Sequence, residues 1–165
     1  MAIKDLQSAT PTDLFKLYSG VLNELRRRKI IRSTNNPVAD YAELLMAKAL
    51  RLQLVTKSTK GYDAIDAEGA RYEVKGRRVT PHNASRQLSF IRGLKERHFT
   101  YLAGVLFAEN FSVIRACLIP VEVVEKVVKF VPQVNGWRLL LQDELWDRED
   151  VRDITAEVKA AAESL

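Results

Sequence analysis

The sequence has 165 residues, of which 47% are hydrophobic and 28% are charged, a balance that suits one compact domain and excludes a disordered chain. A single cysteine, Cys117, excludes an intramolecular disulfide, and no segment approaches the roughly 18 apolar residues that a membrane-spanning helix needs. The first ten residues, MAIKDLQSAT, lack the apolar centre of a secretory signal. We therefore expect a cytoplasmic protein that does not enter a membrane.

Positive charge is concentrated in the first 140 residues. The net charge is +5, but the segment from Leu141 onward holds eight acidic and three basic residues, so the part before it carries a net charge of +10. Such a basic segment favours a polyanionic partner, above all nucleic acid, although a generally basic surface would have the same composition.

Two helices are predicted in the first third of the chain. Thr10 caps the first, Pro11–Lys29, and Asn36 caps the second, Pro37–Arg51. The second helix is apolar on nearly every side and is expected to be buried. The first ends in four basic residues, which either contact DNA or offset the helix dipole. The apolar face of this first helix consists of Leu14, Leu17, Val21, Leu22 and Leu25.

Strands dominate the next part of the chain. Alternating and apolar runs, separated by turn residues, predict the following elements in order: strands Leu52–Val55, Gly61–Asp66 and Ala70–Lys75, helix Ser85–Arg97, strands Phe99–Ala108 and Phe111–Ile119, a helix from Pro120, and a tail with an acidic C-terminal helix. This order predicts an α/β fold with a central mixed sheet flanked by helices.

The hairpin formed by the second and third strands carries the chemical signal. It contains GYD at positions 61–63 and EVK at positions 73–75. Residues two apart on a strand share a face, so Glu73 and Lys75 project together, and the turn near Glu68 places Asp63 opposite Glu73. Two carboxylates that meet there repel each other unless a cation lies between them. Mg²⁺ is the expected cation, and Mn²⁺ is a second candidate.

Phosphodiester hydrolysis is the chemistry that fits this group. The metal would activate a water, and Lys75 would orient it or stabilise the negative charge of the transition state. Glu43 is expected on the buried helix, where an unpaired carboxylate is costly. It either completes the metal site with Asp63 and Glu73 or forms a buried salt bridge with Lys48 or an arginine.

These residues resemble the PD-(D/E)XK nuclease superfamily, which includes restriction endonucleases and Holliday-junction resolvases. The family's aspartate matches Asp63, its E-x-K matches Glu73-Val74-Lys75, and the glutamate that many members carry on the first core helix matches Glu43. Tyr62 stands where the family name has proline. The resemblance implies an αβββαβ restriction-endonuclease-like core over residues 36–130, an N-terminal helical extension over 1–35 and an acidic tail over 131–165, all within one compact domain.

Basic residues surround this motif in the sequence. The loop after Lys75 either holds phosphates or is an ordinary solvated basic loop. The resemblance adds Gln87 as a loose match to the polar residue that some members carry on the second core helix. The partner is expected to be DNA, with RNA left open, and a homodimer is implied by resemblance alone. The candidate nucleic-acid contacts are Lys60, Arg77, Arg78, Arg86 and Gln87.

Three functions are therefore weighed. The first is a metal-dependent DNA endonuclease that uses Asp63, Glu73, Lys75 and Glu43. The second is a catalytically inactive nucleic-acid-binding domain of the same fold. The third is a regulatory or interaction module in which the hairpin acids merely pair with arginines.

Overall fold

The computed structural model describes residues 6–165, and it confirms both N-terminal helices and their caps. Helix α1 spans Pro11–Arg27, and the Thr10 side chain accepts a hydrogen bond from the Asp13 amide. Helix α2 spans Pro37–Leu50, and the Asn36 side chain accepts from the Val38 amide. In both helices proline occupies the first turn, where its missing N–H costs no intrahelical hydrogen bond.

The remaining elements form a mixed α/β domain. In chain order they are β1 (Gln53–Leu54), β2 (Ala64–Ile65), β3 (Arg71–Arg78), β4 (Tyr101–Phe107), β5 (Val113–Pro120), α3 (Val121–Val127), β6 (Lys129–Val131), β7 (Gly136–Arg138), β8 (Arg152–Asp153) and α4 (Thr155–Glu163). Six strands make one sheet in the order β1-β2-β3-β4-β5-β8, while β6 and β7 form a separate pair. Strands β3 and β4 are parallel, and the other neighbours in the large sheet are antiparallel.

The sheet separates two hydrophobic cores. On one face α2 and α4 pack over Val74, Val105 and Ala116. On the other face the segment 88–94, α3 and the chain around residues 139–146 cover Leu102 and Leu106. Alternation along the strands sends successive side chains into the two cores, as expected for a sheet that is buried on both sides.

The prediction of a helix at Ser85–Arg97 is wrong. This segment is extended, apart from a short 3₁₀ turn at Leu94–Glu96. Its backbone pairs with β7 and with the residue that follows it: the Ile91 amide donates to the Trp137 carbonyl (2.9 Å) and the Leu88 amide donates to the Leu139 carbonyl (3.0 Å). Gly93, at φ 61°, also interrupts any helix at this point. The three apolar residues that suggested a helical face are still buried, but Leu88 and Ile91 project from an extended backbone and Leu94 from the short 3₁₀ turn.

The C-terminal segment belongs to the core. Strand β8 pairs with the edge of β5, and Ile154 and Val158 are fully buried on the same face as α2. Acidic side chains of this segment pair with arginines of the preceding part: Asp143 binds Arg86 and Arg115 at 2.9 and 3.0 Å. Among the helices of residues 6–165, none has the length and apolarity needed to cross a membrane.

Candidate active site

The β2–β3 hairpin brings Asp63, Glu73 and Lys75 together. Asp63 directly precedes β2, and its amide donates to Tyr72 at 2.8 Å. Its carboxylate Oδ2 accepts from the Val74 amide at 2.8 Å, so it lies against the backbone between Glu73 and Lys75. The Lys75 ammonium is 2.6 Å from Glu73 Oε1, and these two side chains are only 17% and 15% exposed.

The alternation of β3 decides which face carries this group. Tyr72 and Val74 are buried in the core beneath α2, so Glu73 and Lys75 project to the opposite face of the sheet. Asp63 shares their face because its neighbour Ala64 belongs to the α2 core. The predicted convergence of two acids and a lysine on one face is therefore present.

A glycine allows the loop before Asp63 to turn into the site. Gly61 has φ 88°, and a Cβ built there would lie 2.3 Å from the Cβ of His98. Only glycine fits this backbone and this close approach. The same loop is fixed at its other end, where the Val55 amide donates to Asp63 at 3.0 Å. Sequence reasoning assigned Gly61 to a strand and did not identify its contact with His98.

Asp63 carries an unfavourable charge. Burial, and next to it the negative charge of Glu73, raise its pKa to about 6 from an ordinary value of 3.8. The Val74 amide and Lys75 act in the opposite direction, while Glu43 adds to the increase. The protein thus neutralises the negative charge around Asp63 only in part. Such an environment favours a bound cation.

Glu43 lies in a compact ion-pair cluster. It is buried on α2, where the Arg32 guanidinium contacts one of its oxygens and the Lys57 ammonium is 2.8 Å from both. Lys57 also reaches Asp40 Oδ1 at 2.5 Å. Burial alone would raise the pKa of Asp40, but hydrogen bonds from Lys57, Ser33 and the Arg32 amide outweigh it and lower that pKa to about 2.

This cluster corresponds to the salt-bridge alternative for Glu43. Its partners are Arg32 and Lys57, whereas Lys48 donates to the Ser164 carbonyl at 3.1 Å. Sequence reasoning missed Asp40 as a second member of the cluster. The available signal was its place three residues before Glu43, which puts both acids on one side of an otherwise apolar helix.

The donors fit a hard divalent cation only in part. Asp63 and Glu73 supply two carboxylates, and Mg²⁺ in proteins often takes one or two carboxylates and completes its shell with water and phosphate oxygens. Within residues 6–165, no three His, Cys, Asp or Glu side chains come close enough to enclose a metal. Glu43 is already neutralised by two cations, so Asp63 and Glu73 are the residues that could hold the ion.

Two of the predicted nucleic-acid contacts hold the protein's own loops. Arg77 donates to the Ser85 carbonyl and to Asn83 Oδ1, both at 2.8 Å. Arg86 donates to Asp143 Oδ1 at 2.9 Å. These arginines therefore have structural partners, and any phosphate they bind must share or displace them.

The other predicted contacts do not lie on one surface. Arg78 projects to the face opposite Arg77, donates to the Glu109 carbonyl at 2.7 Å and lies 4.6 Å from the ring centroid of Phe111. Gln87 lies on the extended segment that replaces the predicted second core helix. Lys60 is exposed on the loop that leads to Asp63. Of the predicted set, Lys60 is thus the cation best exposed for a phosphate beside the site.

Comparison with known proteins adds no assignment. No significant match links the chain to a protein-family model or to a curated protein. The site itself consists of two partly buried carboxylates and an ammonium group on one hairpin face, with a neutralised ion-pair cluster beside it. Such a group can bind a hard cation and offer a positive charge to an anionic substrate.

Proposed function

We propose that this protein is a divalent-metal-dependent phosphodiesterase that cleaves DNA internally. One observation carries the proposal. The Asp63 carboxylate accepts a hydrogen bond from the Val74 amide, between Glu73 and Lys75, and burial together with the charge of Glu73 raises its pKa to about 6. A carboxyl whose pKa is shifted by burial and by a neighbouring charge, and which therefore lowers the stability of the fold when ionised, is typical of functional groups.

Each residue has a distinct role in this proposal. Asp63 and Glu73 hold Mg²⁺ or Mn²⁺, which when bound supplies a Lewis acid and an activated water. Lys75, now paired with Glu73 at 2.6 Å, offers its ammonium group to the phosphate and stabilises the added negative charge of the transition state. Glu43 has a positioning role, because its ion pairs with Arg32 and Lys57 hold the loop that leads to Asp63.

The substrate class follows from charge. The net charge is +5, and the excess of base lies in the part of the chain that contains the site. A polyanionic backbone is attracted by such a field in a salt-dependent way. DNA is the proposed substrate, and RNA is the alternative that the assay must compare.

The proposal is tested by comparing nucleic-acid cleavage by the wild-type protein with cleavage by two lysine variants, one in the site and one on α1. Supercoiled plasmid, single-stranded DNA and single-stranded RNA are incubated with wild-type protein in Mg²⁺, in Mn²⁺ and in EDTA. Lys75→Ala should abolish metal-dependent cleavage, whereas Lys16→Ala, which removes a lysine on α1 that is 72% exposed, should leave it unchanged. Undiminished cleavage by folded Lys75→Ala would exclude the proposed centre.

A catalytically inactive nucleic-acid-binding domain is the second candidate. It is favoured by the pairing of Lys75 with Glu73 and by the neutralisation of Glu43, which leave few free metal ligands. This candidate predicts salt-sensitive DNA binding with no cleavage in any metal. Calorimetric titration of Mn²⁺ separates the two: an enzyme should bind it at a site that Asp63→Asn removes, and an inactive domain should not.

A further inference from the structure

Helix α1 exposes an apolar stripe that the described part of the chain does not cover. Not one of its residues is buried. The exposed fractions of Leu14, Phe15, Tyr18 and Val21 are 40, 73, 57 and 49%. Single exposed apolar side chains are ordinary, but a continuous stripe along three turns of helix is typical of an interaction surface.

A groove runs beside this stripe. It has a volume of about 500 Å³ and separates α1 from the body of the domain. Tyr18 and Val21 of the stripe line it from α1 together with Leu22 and Leu25, while the body contributes Ile30, Tyr41 and Phe111. The helix therefore presents an apolar edge together with an apolar cleft.

We propose that this surface binds a second copy of the same chain, with the two α1 helices antiparallel. Leu14, Tyr18, Val21 and Leu25 are spaced by four, three and four residues, which is the spacing of a two-helix seam. The spacing reads the same in both directions, so a reversed copy presents a matching row. A twofold interface needs this self-complementarity.

The distribution of charge selects the antiparallel arrangement. Four consecutive basic residues, Arg26 to Lys29, lie at the C-terminal end of the helix, and Asp13 lies in its first turn. Parallel helices would bring the two basic clusters side by side. Antiparallel helices separate them by about 25 Å, the length of 17 residues of helix, which exceeds the Debye length of about 8 Å in physiological salt. Each cluster then lies near Asp13 in the partner's first turn, which carries the opposite charge.

The exposed apolar area of α1 is large enough for a stable dimer only if the walls of the groove are also buried in the interface. At about 200 Å² for each large side chain, the exposed part of the stripe supplies roughly 400 Å² per copy, and a standard interface needs about 800 Å². In the antiparallel register Phe15 of the second copy lies beside Leu25, at the wall of the groove. An exposed aromatic that enters an apolar cleft is the usual anchor of an interface, and the groove walls supply the missing area.

The first test is the mass in solution, measured by light scattering and sedimentation over a range of protein concentrations. The wild-type protein should approach twice 18.7 kDa, and Phe15→Glu should remain a monomer. Asn23→Glu, which adds the same charge on the far side of α1, should still dimerise. A wild-type protein that stays at 18.7 kDa at every concentration, or a Phe15→Glu variant that dimerises as well as the wild type, would overturn the proposal.

The second test determines the relative direction of the two α1 helices by disulfide cross-linking of variants that each carry one introduced cysteine. Leu14→Cys and Leu25→Cys proteins should form a disulfide-linked dimer only when they are mixed, because position 14 faces position 25 of the other copy. Cys117 is fully buried and does not compete. Cross-linking of Leu14→Cys with itself would mean parallel helices and would contradict the antiparallel arrangement.

Discussion

Replacing Asp63 by asparagine removes one negative charge from the site while preserving side-chain size. In the wild-type protein, burial and the charge of Glu73 raise the pKa of Asp63 from 3.8 to about 6. A shift of about two units corresponds to about 3 kcal/mol of unfavourable free energy when the carboxylate is ionised. Asparagine can still accept the Val74 hydrogen bond, and the strength of that bond to the ionised carboxylate is already contained in the shifted pKa. The expected stabilisation is therefore about 3 kcal/mol.

The effect should depend on pH in a defined direction. Because the folded-state pKa of Asp63 is raised, the native protein holds this proton more firmly than the unfolded chain between pH 3.8 and about 6. The wild-type protein therefore loses stability from this group as the pH rises through that window, and the penalty is constant above it. The advantage of Asp63→Asn should be absent near the lower limit and complete above the upper one.

Thermal and urea unfolding at several pH values, in EDTA, measure this difference. For a chain of this length about 3 kcal/mol corresponds to a rise in Tm of roughly 6–12 °C at neutral pH. Asp66→Asn is the matched control on the same hairpin. Despite some desolvation, the Tyr72 hydroxyl and the Ala70 and Glu68 amides lower the pKa of Asp66, so its replacement should destabilise the fold.

Addition of Mn²⁺ extends the same experiment to the metal. The cation should raise the Tm of the wild-type protein and have no effect on Asp63→Asn, because a ligand stabilises only the state that binds it. An Asp63→Asn variant that is less stable than the wild type at neutral pH, or equally stabilised at every pH, would refute the electrostatic reasoning.

Two further predictions concern the scaffold around the site. Lys57→Met removes a cation that the buried Asp40 and Glu43 share. Because Lys57 is partly exposed, the variant should lose only about 1–3 kcal/mol of unfolding free energy, measured in urea. Adding Glu43→Gln should recover part of that loss, whereas additive losses would argue against direct coupling of the two residues. Gly76→Ala should cost about 1–3 kcal/mol, because a Cβ at position 76 would lie 2.9 Å from Ala42 Cβ and 3.1 Å from the Val38 carbonyl. Gly104→Ala is the matched control and should cost less, because its Cβ meets the far end of the Leu141 side chain at 3.0 Å rather than a backbone atom. Equal losses would contradict this packing argument.

Local signals in the sequence predicted the elements that local chemistry determines. Thr10 and Asn36 cap their helices as expected because a side-chain oxygen followed by proline fixes a helix start within a few residues. The hairpin register follows from its turn and from the alternation of β3, so the approach of Asp63 to Glu73 and Lys75 was predictable.

Signals that depend on distant partners were beyond such reasoning. Residues 85–97 have helical spacing of apolar side chains, yet their backbone pairs with residues 137–141, more than forty positions away. Tertiary pairing overrides a weak propensity, particularly where Gly93 interrupts the helix. A buried salt bridge with Lys48 or an arginine was one of the two alternatives for Glu43, but the sequence did not identify Arg32 and Lys57 as its partners. These residues meet Glu43 only after α2 docks beside the loop before β2.

The two proposed surfaces lie on opposite faces of the sheet, so they can be separated experimentally. Along β3, Glu73 and Lys75 lie on the face of the candidate site, whereas Arg78 projects to the α2 side and lines the groove next to α1. Phe15→Glu should therefore abolish dimerisation while the Mn²⁺-induced rise in Tm persists. Asp63→Asn should abolish the response to Mn²⁺ while the protein still dimerises. Loss of both properties in either variant would mean that pairing of α1 shapes the site, and each copy would then depend on its partner for metal binding.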